Sequence, residues 1–419
     1  METHLADFIR DTSAGREAEA ILRTCVHCGF CTATCPTYQL FGDELDGPRG
    51  RIYLIKQMLE TGEATEKTRL HLDRCLTCRS CESTCPSGVH YSRLLDIGRE
   101  VAASRVPRYG VDGLTRAVLK HFLPWPGLFN PAMRVGQMMR PLLPAALKGK
   151  VPERRDPGAV PAPRQQRRMI VLAGCVQPAM LPGINAAAMR VLDRLGISLI
   201  EAGRAGCCGA LRLHLDDAEG ARDDARRNIE AWLPLLDAGH EAIVMTASGC
   251  GVQVREYAHL LQDDPRYAVR AARIALATRD ISEVVIAEKA ALLKLLENVV
   301  PGTQRRVAFH SSCSLQHGQK IRGVVEELLL AAGFELVPVT DAHLCCGSAG
   351  TYSVLQPEIA TRLRDNKLDG LGAGRSSAAA PEVIVSANIG CITHLQSGTE
   401  LPVRHWIELL DERLGAAHA

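Results

Sequence analysis

The sequence predicts a two-part chain: an α-helical, two-centre cysteine domain followed by a duplicated α/β unit of βαβ segments. Three observations carry this. Two cysteine runs of identical spacing, Cys25, Cys28, Cys31, Cys35-Pro36 and Cys75, Cys78, Cys81, Cys85-Pro86, open the chain. Short β-branched runs then alternate with helical stretches, the pattern of parallel strands joined by crossover helices. Finally, the second half contains one cysteine-bearing unit twice, and such a repeat bounds the fold before any other reading.

At 419 residues the chain has room for two or three domains, each with its own core. Lys plus Arg is 49 against 47 for Asp plus Glu, which disfavours a general nucleic-acid binder. Aromatic residues are too scarce for base-stacking platforms. Residues 1–20 carry Glu2, Asp7, Arg10, Asp11, Arg16, Glu17 and Glu19 and no apolar core, so no signal peptide is expected. No stretch reaches about 18 uninterrupted apolar residues, so no transmembrane span is expected. Sixteen cysteines without an export signal read as metal ligands or redox thiols, which places the protein in a reducing cytoplasm.

Each N-terminal run reads C-x2-C-x2-C-x3-C-P and is similar to the known bacterial ferredoxin spacing, in which the fourth cysteine ligates the other cluster. Applied here, that rule gives Cys25, Cys28, Cys31 and Cys85 for one [4Fe-4S] cluster, and Cys75, Cys78, Cys81 and Cys35 for the second. The following proline lacks an N–H and fixes its own φ, which suits a segment turning away from a cluster. A zinc ribbon needs only four ligands and no third cysteine at the next step. A disulfide framework would need an oxidising compartment.

Taken in order, residues 1–24 read as a leading helix through Leu5, Phe8, Ile9, Ala18, Ile21 and Leu22. Gly47-Pro48-Arg49-Gly50-Arg51 is a turn into an amphipathic helix that ends near Gly62. Arg49 and Arg51 either contact a partner, balance cluster charge or are a solvated helix start. A helix from Tyr91 stops before Pro107, and the first domain is set at 1–107. Residues 108–168 form an apolar connector and a Pro/Arg-rich linker. Within it, 108–150 is interrupted by Pro124, Pro126, Pro131, Pro141 and Pro144 and cannot be one regular helix. A connector packed on the next domain is favoured. The alternative is a partner-docking or membrane-interface surface with Arg134, Arg140, Lys148 and Lys150.

The repeats are set at 169–300 and 301–419. Unit one has strands at Met169–Leu172, Ile197–Ile200 and Ile243–Met245, with Cys175, Cys207, Cys208 and Cys250 following them. Unit two has strands at Val307–Phe309, Phe334–Val337 and Val383–Val385, followed by Cys313, Cys345, Cys346 and Cys391. The first intervals, Cys175 to Cys207 and Cys313 to Cys345, are both 32 positions. Ligand sites of open α/β sheets gather at strand carboxyl ends, so each unit brings four cysteines to one rim. Eight cysteines in matched positions are too many for buried hydrophobes, and each set reads as a soft-metal site. His310, His317 and His394 flank the second set; each is read as an ordinary polar histidine, with a metal ligand or a hydrogen-bond donor to a ligand as the alternative.

Cys-Cys-Gly twice, each with an upstream and a downstream cysteine, resembles the cysteine-rich CCG domain of the heterodisulfide reductase B subunit. A two-cluster ferredoxin-like domain followed by two CCG units resembles the iron–sulfur subunits of flavin-linked dehydrogenases. Within that group the chain resembles the glycolate oxidase (glycolate dehydrogenase) iron–sulfur family. Asp46-Gly47-Pro48-Arg49-Gly50-Arg51, Thr246-Ala247-Ser248-Gly249-Cys250-Gly251, His317-Gly318-Gln319-Lys320 and Asn388-Ile389-Gly390-Cys391 carry that likeness over nearly the whole chain. One departure matters. CCG domains with the disulfide-cleaving cluster end in C-x2-C, whereas Ala247 and Asn388 stand three before the last cysteines here. A conventional further Fe–S cluster, zinc or an empty site therefore all remain open.

The resemblance implies an electron-transfer subunit of an oxidoreductase complex. A partner subunit carrying FAD would oxidise a 2-hydroxy acid, glycolate to glyoxylate, and this chain would relay the electrons towards a quinone. It would lie in the cytoplasm, peripheral on the cytoplasmic face of the inner membrane. No G-x-G-x-x-G opens a helix after a strand, and no catalytic residue is expected on this chain. The equivalent subunit of a lactate or anaerobic glycerol-3-phosphate dehydrogenase is the neighbouring reading. A thiol–disulfide reductase acting at a CCG site and a zinc scaffold are readings of other classes.

Overall fold

The computed structural model describes residues 1–144, 148–149, 151–297, 299, 305–375 and 379–415. Lys150 and the boundary expected at 300/301 lie outside them.

The leading segment forms two helices, Asp7–Arg10 and Ser13–Thr24, and not one. The break is a cap: Thr12 Oγ1 accepts from the Gly15 N–H at 2.9 Å, supplying a partner the second helix start lacks. Gly15 permits the tight corner, since a Cβ there would stand 1.9 Å from the Ile9 carbonyl oxygen. The helix Pro48–Thr61 begins with proline in its first turn and stops at Gly62, whose φ is +76°. Its buried Ile52, Ile55, Met58 and Leu59 pack with Ala18, Ile21, Leu22, Leu94 and Leu95 into one apolar core. The helix Tyr91–Arg105 closes that core and ends at Val106, before Pro107.

The connector is two helices, Gly110–Phe122 and Pro126–Met138, then a short 3-10 turn at Arg140–Leu142. Its packing is partial. Phe129 and Arg116 are buried, and Gln137 donates to the Ala179 carbonyl. Tyr109, Val111, Leu114, Val118, Trp125, Leu128, Val135, Met138 and Leu142 are exposed.

The second half contains two four-stranded, all-parallel sheets. In the first, β1 (Arg167–Val171), β2 (Ile197–Glu201), β3 (Ile243–Met245) and β4 (Thr278–Asp280) lie in the order β2-β1-β3-β4. In the second, β5 (Arg306–His310), β6 (Glu335–Leu336), β7 (Val383–Ser386) and β8 (Val403–His405) repeat it as β6-β5-β7-β8. β4 and β8 were not expected from sequence. They are three-residue edge strands, too short to show a β-branched run.

The two sheets share one apolar core, with Val171, Val191, Val244, Val307, Val385 and Trp406 in a single cluster. Ser248 N–H donates to the Ala387 carbonyl at 3.0 Å, and His405 Nε2 meets the Thr246 carbonyl at 2.9 Å. In each order the strand connections reverse between the two central strands, which opens a crevice at their carboxyl ends. The cysteines follow those ends.

Candidate metal centres

In the N-terminal part the cysteines line two adjacent cavities. One is lined by Cys25, Cys28, Cys31 and Cys85, with Ile52, Val89 and Arg49. The other is lined by Cys35, Cys75 and Cys78, with Leu76, Leu95 and Arg51. Cys81, Tyr91 and Pro48 border both cavities, so the partition is one side chain thick. The fourth cysteine of each run faces the cavity of the other.

The two loops share a backbone path. His27 and Thr77, each two after the first cysteine of a run, have φ of 55° and 51°. Gly29 and Arg79, each one after the second cysteine, have φ of 84° and 60°. Three side-chain-bearing residues in the left-handed region, one of them β-branched, are costly unless the surroundings impose them. This path turns successive thiols to one side.

Electrostatics fit a cationic core. Burial pushes the Cys31 thiol up to about 11 and holds Cys81 well above the ordinary thiol range. Such thiols ionise only against positive charge, which a bound metal or cluster core provides. Arg51 is 1% exposed and supplies a permanent cation. Its guanidinium donates to the His71 carbonyl at 2.7 Å and Thr37 Oγ1 at 3.1 Å, and lies 4.0 Å from Cys35 Sγ. Arg49 instead pairs with Glu44 at 2.6 Å and is half exposed.

In each repeat the four cysteines border the same cavity. Cys250 and Cys391 each occupy the third position of a helix, Ser248–Arg255 and Ile389–Gln396, where the helix dipole favours a thiolate. The glycine of each Cys-Cys-Gly has a physical cause: φ is +91° at Gly209 and +86° at Gly347. Their N–H groups return to Cys207 Sγ at 3.5 Å and Cys345 Sγ at 3.4 Å. In repeat one, contact with the Cys207 thiol and then burial raise Cys175. In repeat two, contacts with Cys345 and Cys78, then burial, raise Cys313. The second contact links the two halves, because Cys78 lines an N-terminal cavity. Both CCG sets and Cys78 also border one cavity of about 830 Å³.

His317 is bonded at both nitrogens, to Ser83 Oγ and to the His343 carbonyl, each at 2.9 Å. His394 Nε2 meets the Ala360 carbonyl at 3.1 Å. Both behave as ordinary polar histidines. His310 differs: its Nδ1 meets Ser386 Oγ at 2.9 Å, but its buried Nε2 has no hydrogen-bond partner.

Two thiol-lined cavities joined through Cys81, docked on a duplicated parallel α/β unit with a further cysteine set in each half, define a multicentre iron–sulfur protein. Comparison with known proteins agrees. Residues 21–89 match the 4Fe-4S dicluster domain model, and residues 169–255 and 307–396 match the Cysteine-rich domain model. The Escherichia coli (strain K12) glycolate oxidase iron-sulfur subunit is 50% identical over 99% of both chains. The probable glycolate oxidase iron-sulfur subunit of Bacillus subtilis (strain 168) is 30% identical, over 92% of this chain and 90% of its own. Lactate utilization protein A of an Exiguobacterium strain is 26% identical, over 57% of this chain and 94% of its own. The chain belongs to the family of glycolate oxidase iron–sulfur subunits.

Proposed function

We propose that this chain is the electron-transfer subunit of a glycolate-oxidising complex. A separate FAD subunit takes two electrons from glycolate to give glyoxylate, and this chain carries them onward towards a quinone. Bound iron–sulfur clusters supply the one-electron carriage. The residues proposed to hold them are Cys25, Cys28, Cys31 and Cys85 for one cluster and Cys75, Cys78, Cys81 and Cys35 for the other.

The protein's own contribution is spacing, insulation and charge. Apolar Ile52, Val89, Leu76 and Leu95 line the cavity walls, and Arg51 offsets thiolate charge beside Cys35. The observation that carries the reading is continuity. The two cavities share Cys81, and Cys78 of the second touches Cys313 of repeat two. Relatives with glycolate in their names match over nearly the full chain, whereas the lactate relative matches over 57% of it. That contrast favours glycolate over lactate.

The domains are proposed as 1–107, 108–168, 169–300 and 301–419. No helix among the described residues is long and apolar enough to cross a membrane. The exposed apolar row from Tyr109 to Leu142 supports docking of the connector on a partner subunit or on the cytoplasmic face of the inner membrane.

Anaerobic purification with iron, sulfide and EPR analysis tests the centres: about eight irons are expected from two [4Fe-4S] clusters alone. In the assembled complex, Cys28→Ser is expected to abolish glycolate-dependent dye reduction. Full quinone-linked activity in that variant, or iron near zero in the wild type, would overturn the proposal.

A further inference from the structure

Among the matched buried positions of the two repeats, one pair changes from apolar to polar together. Three positions before the first cysteine, repeat one has Leu172 and repeat two has His310. Five before the last cysteine, repeat one has Met245 and repeat two has Ser386. Leu172 and Met245 lie together in an apolar cluster. His310 and Ser386 are register partners on β5 and β7, 1% and 0% exposed.

A polar pair where the sister fold accepts hydrocarbon is costly unless its hydrogen-bonding capacity is used. Ser386 uses only Nδ1 of His310. A buried nitrogen left without a partner is destabilising, so a repeat that could have kept leucine needs a gain at Nε2. The sulfurs supply the context. Among the described residues, only two groups of three or more His, Cys, Asp or Glu donors lie mutually within 4.8 Å. One is His310, Cys346 and Cys391, all buried. The other is Asp43, Asp46 and His71, and there Asp46 is already committed to Arg51 and Arg74.

We propose that His310 Nε2 is a metal ligand, completing with Cys346 and Cys391 a mixed nitrogen–sulfur centre that repeat one cannot form. This rests on reading the repeat-two cysteines as a metal site and is independent of the substrate. Ser386 orients the ring: with the proton on Nδ1 and donated to Ser386 Oγ, Nε2 presents its lone pair. Around one tetrahedral zinc, bond lengths of about 2.0–2.3 Å place neighbouring donors about 3.5–3.8 Å apart, which the compact triad can reach. In a cluster each ligand serves its own iron and the donors stand further apart. No trio of the N-terminal cysteines is that compact among the described residues, so the triad suits a single soft ion, zinc foremost. An iron cluster with a histidine corner is the other occupant this donor set could take.

The test uses full-length protein purified anaerobically, wild type and His310→Leu, since leucine is what repeat one carries at this position. Elemental analysis gives zinc, iron and sulfide, and X-ray absorption at the metal edge gives ligand type. The expected result is about one zinc per chain with a mixed nitrogen–sulfur shell, lost in His310→Leu while the dicluster EPR signal is unchanged. If iron occupies the site, a nitrogen hyperfine coupling present only in the wild type supports the same ligand. An all-sulfur shell, no metal beyond the two N-terminal clusters, or unchanged metal and spectra in His310→Leu would overturn the proposal. A wild type without dicluster iron would instead refute the electron-transfer reading, and the metal-edge spectrum would still decide the role of His310.

Discussion

His317 of repeat two and Ser83 within the second cysteine run, 234 positions apart, share a hydrogen bond of 2.9 Å. Close by, Tyr352 donates to the Arg74 carbonyl at 3.0 Å, and Leu76 packs in one cluster with Cys313 and Cys345. Polar contacts of this kind set the register of the surface on which Cys78 meets Cys313.

His317→Ala therefore leaves Ser83 and the His343 carbonyl without a side-chain partner across a part-buried seam. The expected loss is about 1–3 kcal/mol of unfolding free energy, and Ser83→Ala should cost less, about 1 kcal/mol. Denaturant unfolding measures both. Equal stability of His317→Ala and wild type would mean the seam does not depend on this bond.

Arg51 is a buried cation lining the second cavity and is paired with Asp46 at 3.5 Å. Removing one partner of a buried pair costs about 3–5 kcal/mol, so Arg51→Met should be markedly destabilised. Loss of positive charge beside Cys35 should also lower the reduction potential of the second cluster. Arg51→Lys should retain much of the potential but lose the fork to His71 and Thr37. An EPR-monitored redox titration of the three proteins checks this, and an unshifted potential in Arg51→Met would remove Arg51 from the electrostatic account.

Arg108 joins the halves electrostatically, meeting Asp73 at 2.6 Å and Asp216 at 2.8 Å. Burial alone would raise Asp73, but the Arg108 hydrogen bond and the Arg116 and Arg108 charges outweigh it and hold the carboxyl below its usual value. A depressed carboxyl contributes stability that is present above its unfolded pKa of about 3.9 and lost as pH falls through the folded value. Arg108→Met should cost about 3 kcal/mol at pH 7, and the difference from wild type should shrink below about pH 4. Thermal unfolding across pH 3 to 7 reads the trend; a difference that grows on acidification would contradict it.

The two Cys-Cys-Gly glycines should tolerate alanine unequally. A Cβ at Gly347 would stand 2.6 Å from the Ala360 carbonyl oxygen, and one at Gly209 would stand 3.0 Å from that of Ala221. Both also carry the left-handed penalty of about 1–2 kcal/mol. Gly347→Ala should therefore lose more stability and more metal than Gly209→Ala. Melting temperature and metal content per chain provide the comparison.

Much of the site was legible because its signals are local. The spacing within each cysteine run, the paired 32-residue intervals and the strand-then-cysteine order are short-range patterns that a reader of the chain can measure. The edge strands β4 and β8 were not legible, since three residues such as Thr278-Arg279-Asp280 carry no periodicity. Asp280 and Glu283 form a capping box, a signal that would have marked the helix following β4. The break at Thr12 was signalled too, by a cap residue inside an otherwise helical pattern.

The sequence alone determined how many thiols there are, how they group and which backbone turns present them, because those features depend on neighbours within a few residues. Tertiary structure decided what stands beside them. That Arg51 is buried against Cys35, that Cys78 reaches Cys313, and that His310, with one nitrogen unpartnered, is grouped with two cysteines of its own repeat all depend on elements brought together by a shared core. Burial and the pairing of distant polar groups are properties of the packed chain. The same histidine reads as an ordinary polar residue until Ser386 takes one of its nitrogens and the fold buries the other.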